Sequence, residues 1–259
     1  MVTLQEMISF FEQIAPPYLA EDYDNVGLLI EGNSQEIYKI VLALDVDEHV
    51  VLQAETMGAE LIVCHHPLLF KPIRSLTMAT GQERTIRRLI QKGIGLYALH
   101  TNFDGAEDGL CDVFLDCFGS FVHRCSFSGT QAGIGRIGRL EYPCTLESIL
   151  KQTTETLHIP HISYVGDVNQ TIETIAVCNG GGGDLLYEAY GLGAQLYVSG
   201  DFKHHHARFA KENQMALINI SHFDAEIGFS SLMQQKLTSQ FGQRLQLMCA
   251  EEQNPWQRY

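Results

Sequence analysis

Apolar residues fall in short unbroken runs that alternate with stretches of helical spacing. In MVTLQEMISFFEQI, Leu4, Met7, Ile8, Phe11 and Ile14 recur at the helical period, Thr3 stands at the N-cap position with Glu6 three residues on, and Pro16 and Pro17 end the pattern. Residues 38–44 (YKIVLAL) form a continuous apolar run of strand length, DEHVVLQAETMG reads as a helix stopped by Gly58, and ELIVC (60–64) reads as a second buried strand. TIRRLIQKG (85–93) is a helix closed by Gly93, followed by a third strand in IGLYALH (94–100). This βαβαβ rhythm predicts a largely parallel sheet covered by helices.

The middle of the chain changes character. GIGRIGRLEYP (133–143) alternates and is glycine-rich, as in an antiparallel or edge strand. TLESILKQTTETLH (145–158) has helical spacing with Thr145 and Ser148 as start signals, and 163–178 supplies strand and turn. The last third then repeats the first. GAELIVCHHP (58–67) parallels GAQLYVSGDFKHH (193–205), and residues 86–110 parallel 207–232. In each copy a strand ends in a histidine, His100 or His222, with a carboxylate four residues on, Asp104 or Glu226. An internal duplication of one α/β unit is the expectation, with a first half over 1–125, a second over 126–259, and the C-terminal segment packing back on the first.

Composition narrows the function classes. The chain has 259 residues with 45% apolar and 19% charged, enough to bury a real core, so disorder and a stapled mini-protein are excluded. The formal net charge of −14 argues against a long nucleic-acid partner, because phosphate-backbone affinity comes from Lys and Arg. No apolar run reaches the roughly 20 residues of a membrane-spanning helix. Glu6 and Glu12 interrupt the N-terminal stretch and no basic segment precedes it, so no secretory signal is expected. The seven cysteines form no C-x-x-C pair and read as reduced thiols of a cytoplasmic protein.

The sharpest chemical signal is Cys64-His65-His66-Pro67 at a strand end. Side chains of successive extended residues point opposite ways, so two adjacent histidines serve one ion awkwardly, whereas two ions roughly 3.5–4 Å apart take one each. HTNFD (100–104) and SHFDAE (221–226) add imidazole and carboxylate at matching offsets. Nitrogen and oxygen donors without thiolate suit Zn, Fe, Mn, Co or Ni. His65, His66, Asp104, His222 and Glu226 are five donors for two divalent ions. That number leaves open positions, the mark of a catalytic site, and two cations lower the pKa of a shared water.

Weaker motifs surround these. Tyr23-Asp24-Asn25-Val26-Gly27-Leu28 reads as an Asx-turn into a strand. Asn179-Gly180-Gly181-Gly182-Gly183-Asp184 follows a strand and opens a helix. It is neither a P-loop nor a dinucleotide fingerprint, and reads as a tight turn first and an anion cradle second. Of His204, His205 and His206, His205 aligns with His66 in the repeat and is retained as a candidate.

Together YDNVGLLIEG (23–32), IVCHHPLLF (62–70), LHTNFD (99–104), CNGGGGDLL (178–186), SGDFKHH (199–205) and SHFDAE resemble the Nif-three-like proteins, also known as GTP cyclohydrolase 1 type 2 homologues, over about residues 4 to 250. The resemblance implies an α/β fold of two intertwined, duplicated halves with mostly parallel or mixed sheets. It also implies a dinuclear metal site between them and a toroidal hexamer built as a trimer of dimers. Its matching ligands are the same five residues, and its histidine beside the site falls on His100, assigned to proton transfer. Tyr23 stands where the family often has Trp. The implied function is metal-dependent hydrolysis of a small substrate, GTP in the family's name. A metal-binding scaffold or regulatory interaction protein without turnover is the alternative, with phosphodiester chemistry at the two ions a third reading.

Overall fold

The computed structural model describes residues 1–127 and 133–257. The chain divides into two compact units, one formed by Met1–Phe103 with Gly228–Tyr259 and the other by Asp104–Ile227.

In chain order the first unit opens with β1 (Val2–Thr3), α1 (Leu4–Ile14), β2 (Gly27–Ile30), β3 (Glu36–Ile37) and β4 (Lys39–Ala43). It continues through α2 (Glu48–Met57), β5 (Leu61–Cys64), α3 (Gly81–Lys92), β6 (Gly95–Ala98) and α4 (Thr101–Gly105), whose last residues belong to the second unit. The second unit follows with α5 (Leu110–Asp116), β7 (Phe121–Ser126), β8 (Arg136–Thr145), α6 (Leu146–Thr156), β9 (Ser163–Val165) and β10 (Thr171–Val177). It ends with α7 (Leu186–Gly191), β11 (Leu196–Ser199), α8 (His204–Glu212), β12 (Ala216–Asn219) and α9 (His222–Glu226). The chain then returns to the first unit in α10 (Gly228–Phe241) and β13 (Gln246–Cys249).

The expected start and stop signals act as such. Thr3 accepts from the Glu6 amide while Glu6 reaches back to the Thr3 amide, a reciprocal cap on α1. Gly58 and Gly93 end α2 and α3 at φ 70° and 65°, a left-handed backbone that a side chain would strain. Thr145 caps α6 by accepting from the Ser148 amide.

Both units contain mixed sheets. The first has strand order β13-β4-β5-β6-β2, parallel except for β2. Alternate side chains go to opposite faces. Val41, Ala43, Ile62, Cys64, Leu96 and Ala98 share a cluster with Val50, Val51 and Ala54 of α2 and Ile86 and Leu89 of α3. Tyr97, one residue out of phase, instead lies against Phe11 of α1, ring centroids 4.6 Å apart. The second sheet runs β7-β8-β10-β11-β12-β9, with β10, β11 and β12 parallel and β8 and β9 antiparallel to their neighbours. Ile175, Val177, Leu196 and Val198 pack with α5 and α6. Ala176, Tyr197 and Leu217 pack with α7 and α8. Each unit therefore has three parallel strands in sequence order, with an antiparallel edge beside the third. The duplicated pattern is visible in the topology itself. Among the described residues no helix is long and apolar enough to cross a membrane.

Candidate metal centre

In the first unit the parallel strands deliver a three-histidine group. Residues 65 and 66 extend the β5 ladder by one step each: the His65 amide donates to Ala43 O (3.1 Å) and the His66 amide to Leu44 O (2.9 Å). This fixes the backbone, and the two rings come together with centroids 5.1 Å apart rather than pointing to opposite sides as an extended strand would place them. His65 is fully buried, with its ring 5.1 Å from that of Phe229. The potential ligand atoms of His65, His66 and His100 lie within 4.8 Å of one another.

Each of these rings has one nitrogen already committed. His65 Nδ1 is 2.8 Å from Leu99 O, His66 Nδ1 is 2.9 Å from Asp45 Oδ1, and His100 Nδ1 is 2.9 Å from Asp24 Oδ1. A carbonyl or carboxylate oxygen only accepts, so Nδ1 bears a hydrogen, and in the neutral ring the lone pair is on Nε2. That is the tautomer a ligating histidine needs, with its other N–H held by an oxygen. Asp45 is steadied in turn, because the Glu252 carboxylate accepts from the amides of Leu44 and Asp45, both at 2.8 Å.

Asp24 is the residue that sequence reasoning undervalued. An Asx-turn contact exists, from the Asn25 amide to Oδ1 at 2.8 Å, but the carboxylate also receives His100 Nδ1 and the amide and hydroxyl of Thr101. Burial pushes its pKa up. The hydrogen bond and charge of His100, with the donors Thr101 and Asn25, outweigh that and hold it at about 2. The partner of Asp24 lies 76 residues away, so no local pattern could have revealed the pair.

The second unit gathers Asp104, Asn179, His222 and Glu226. His222 Nδ1 is 2.8 Å from Asp201 Oδ2, so Nδ1 bears a hydrogen, as in the three histidines of the first unit. His222 and Glu226 stand one turn apart on α9, and Nε2 lies 3.1 Å from Glu226 Oε2. At that distance the two atoms share a proton as an imidazolium–carboxylate pair, and the same two atoms could hold a cation in its place. Asn179 Nδ2 donates to Asp104 Oδ1 (2.8 Å) and to Glu226 Oε1 (3.1 Å). Asp104, Asn179 and Glu226 are all buried.

The glycine loop owes its composition to this packing. At Gly180, with φ +60°, a Cβ would stand 2.1 Å from Glu226 Oε1. At Gly182 it would meet Cys178 Cβ at 2.4 Å, and at Gly200 the Gly180 carbonyl at 2.6 Å. The Gly182 amide is already given to Ser199 Oγ (3.0 Å), and the loop leads into a 3-10 turn before the six-residue α7.

Two details of the repeat differ from the sequence alignment. Matching β5 to β11 puts Asp201, not His205, opposite His66. His205 is instead exposed in the first turn of α8. Matching β6 to β12 puts His222 opposite Thr101, so His222 begins a helix whereas His100 precedes one and turns to Asp24. Asp184, His205 and His206 also cluster. However, His206 Nδ1 accepts from the Lys203 amide (3.1 Å) and its Nε2 faces Asp184 Oδ1 (3.3 Å), so both ring nitrogens are committed. Burial lowers the His206 pKa, with the neighbouring His205 adding to it.

Comparison with known proteins gives a consistent likeness. The family model Duf34/NIF3 (NGG1p interacting factor 3) matches residues 2–255. A Clostridium perfringens protein named GTP cyclohydrolase 1 type 2 homolog is 38% identical over 226 residues, covering 86% of each chain. The crystal structure of Staphylococcus aureus protein SA1388 superposes with a TM-score of 0.87 at 27% identity, covering 100% of this chain and 99% of that one. Reduced HcgD from Methanocaldococcus jannaschii gives 0.84 at 28% identity, with 96% and 97% covered.

Proposed function

Since this chain belongs to the Duf34/NIF3 family, we propose that it is a metal-dependent hydrolase whose ligands are His65, His66, Asp104, His222 and Glu226, holding two divalent ions. The donor set fits borderline transition ions such as Zn, Fe, Mn, Co or Ni, being imidazole and carboxylate without thiolate. The observation that carries the reading is the His222 Nε2–Glu226 Oε2 pair, an imidazole and a carboxylate brought within 3.1 Å of each other while Asp201 holds the other ring nitrogen. Bound there, the ions supply Lewis-acid polarisation and lower the pKa of a nearby water.

The chain's own groups do the rest. Asp45 and Asp201 hold His66 and His222 in the ligating tautomer, and the Leu99 carbonyl does so for His65. His100 takes the proton released when water adds to the substrate: its Nε2 accepts, and Asp24, ionised and hydrogen-bonded to Nδ1, stabilises the resulting imidazolium. The relatives' name suggests GTP. The corresponding reaction adds one water at C8 of the guanine, opening the imidazole ring to a formamide, and a second water hydrolyses that formamide to release formate and the free amine. The family name, an interacting factor, supports a second reading as a metal-binding scaffold or regulatory partner without turnover. For the assembly we propose a homohexamer, a trimer of dimers, checked by native mass spectrometry.

The test is formate release from GTP by protein loaded with Zn, Fe, Mn or Co, against His65→Ala. Wild-type inactivity with all four ions refutes the cyclohydrolase reading. Chelation separates the two classes: a scaffold loses its oligomer or partner, whereas an enzyme loses turnover and keeps its assembly.

A further inference from the structure

Asn179 is a buried amide that satisfies two carboxylates at once. Its orientation is chemically determined. Asp104 Oδ1 and Glu226 Oε1 accept, so the NH2 end must face them, and the oxygen end receives the Cys111 thiol. Cys111 is itself fully buried on α5, and the main-chain carbonyl of Asn179 separately accepts from the Cys178 thiol at 3.4 Å. The amide is therefore clamped at both ends. One oxygen of each carboxylate is turned towards Asn179, which leaves Asp104 Oδ2 and Glu226 Oε2 as the oxygens free of its amide. Glu226 Oε2 is the oxygen that faces His222 Nε2.

We propose that Asn179 is a specificity-determining positioning residue that restricts Asp104 and Glu226 to ligation through a single oxygen each. The proposal rests on the reading of both carboxylates as metal ligands. Its consequence is selection by ion size and ligand number. A large hard cation such as Ca2+ fills six to eight positions with oxygen and commonly chelates carboxylates through both atoms, whereas smaller transition ions are satisfied by single oxygens and imidazoles. An amide that engages one oxygen of each carboxylate disfavours the first mode and leaves the second intact. Asn179 touches no substrate in this account and acts through the two acids.

The test uses the full chain stripped of metal and titrated with Mn2+ or Ca2+ alone by equilibrium dialysis. Wild type is expected to bind Mn2+ well ahead of Ca2+. Asn179→Ala is expected to weaken Mn2+ binding by about 10- to 100-fold, as loss of a group holding a ligand does, while Ca2+ binding holds or improves. The infrared difference spectrum between Mn2+-loaded and metal-free protein supplies a second readout. A wide separation of the antisymmetric and symmetric carboxylate stretches marks single-oxygen ligation in wild type, and it narrows in the variant. Should Asn179→Ala fail to fold, Cys111→Ala and Cys111→Ser carry the test. The alanine variant loses the clamp and follows the same trend, and serine, which retains a donor, restores the wild-type preference. Unchanged Mn2+/Ca2+ preference and unchanged carboxylate bands in the variants overturn the proposal while leaving the metal site standing. Wild type that binds neither ion, with no carboxylate difference spectrum, overturns both.

Discussion

Gly180→Ala separates what a glycine does for a turn from what it does for a ligand pair. The residue has φ +60°, where a side chain costs about 1–2 kcal/mol from backbone strain alone. It also has a Cβ position 2.1 Å from Glu226 Oε1 and 3.0 Å from His222 Nε2. Ordinary contact begins at 3.4 Å, so the carboxylate must retreat, and disturbing what holds a ligand costs about 10- to 100-fold in metal affinity. Gly193→Ala is the matched control: its φ is +83°, and a Cβ there meets nothing within 4 Å. Gly193→Ala should lose about 1–2 kcal/mol, read as a fall of a few degrees in the melting temperature of the metal-free protein, and Gly180→Ala about 1–3 kcal/mol more from the clash. Only Gly180→Ala should lose metal affinity, by about 10- to 100-fold in equilibrium dialysis with Mn2+. Equal metal affinity in the two variants would falsify the claim that the glycine loop is shaped around Glu226 and His222.

Three further outcomes follow from the same contacts. Asp201→Asn keeps the shape but removes the acceptor charge that holds His222 Nδ1–H, so Mn2+ affinity should drop by about 10- to 100-fold in dialysis with little change in the metal-free melting temperature. The Asp24 carboxyl is held at about 2 against a usual 3.8, so the stability it contributes is full above pH 4 and lost as pH falls towards 2. This amounts to about 2 kcal/mol, and Asp24→Asn should flatten that part of the acid-unfolding curve measured by circular dichroism. Arg136→Ala strands the buried Asp112 carboxylate, whose oxygens now receive Arg136 Nε at 2.8 Å and an Nη at 3.1 Å, and should cost about 3–5 kcal/mol in urea unfolding. A loss under 1 kcal/mol there would mean that water replaces the guanidinium at no great cost.

Local signals were legible because they act over a few residues. The Thr3–Glu6 cap, the Gly58 and Gly93 stops and the buried runs of β4, β5 and β6 follow from spacing and backbone preference alone. The repeat was legible as a pattern but not in its register. One residue of offset, invisible in a string of similar letters, decides whether a histidine precedes a helix, as His100 does, or starts one, as His222 does. The C-terminal segment was expected to pack back on the first half, but which strand β13 would join had no local signal, since it pairs with β4 in parallel from about 200 positions further along the chain.

What the amino-acid order determined by itself was the α/β rhythm, the duplication, and imidazole and carboxylate side chains at strand ends. Each of these is a property of residue type and short-range spacing. What only the tertiary structure decided was which oxygen meets each imidazole and each amide: Asp24 for His100, Asp45 for His66, Asp201 for His222, and Asn179 across Asp104 and Glu226. Those partners lie from 21 to 76 residues apart in the chain. A hydrogen bond has a reach of about 3 Å, so such pairs exist only once sheet register and helix packing have brought distant backbone together.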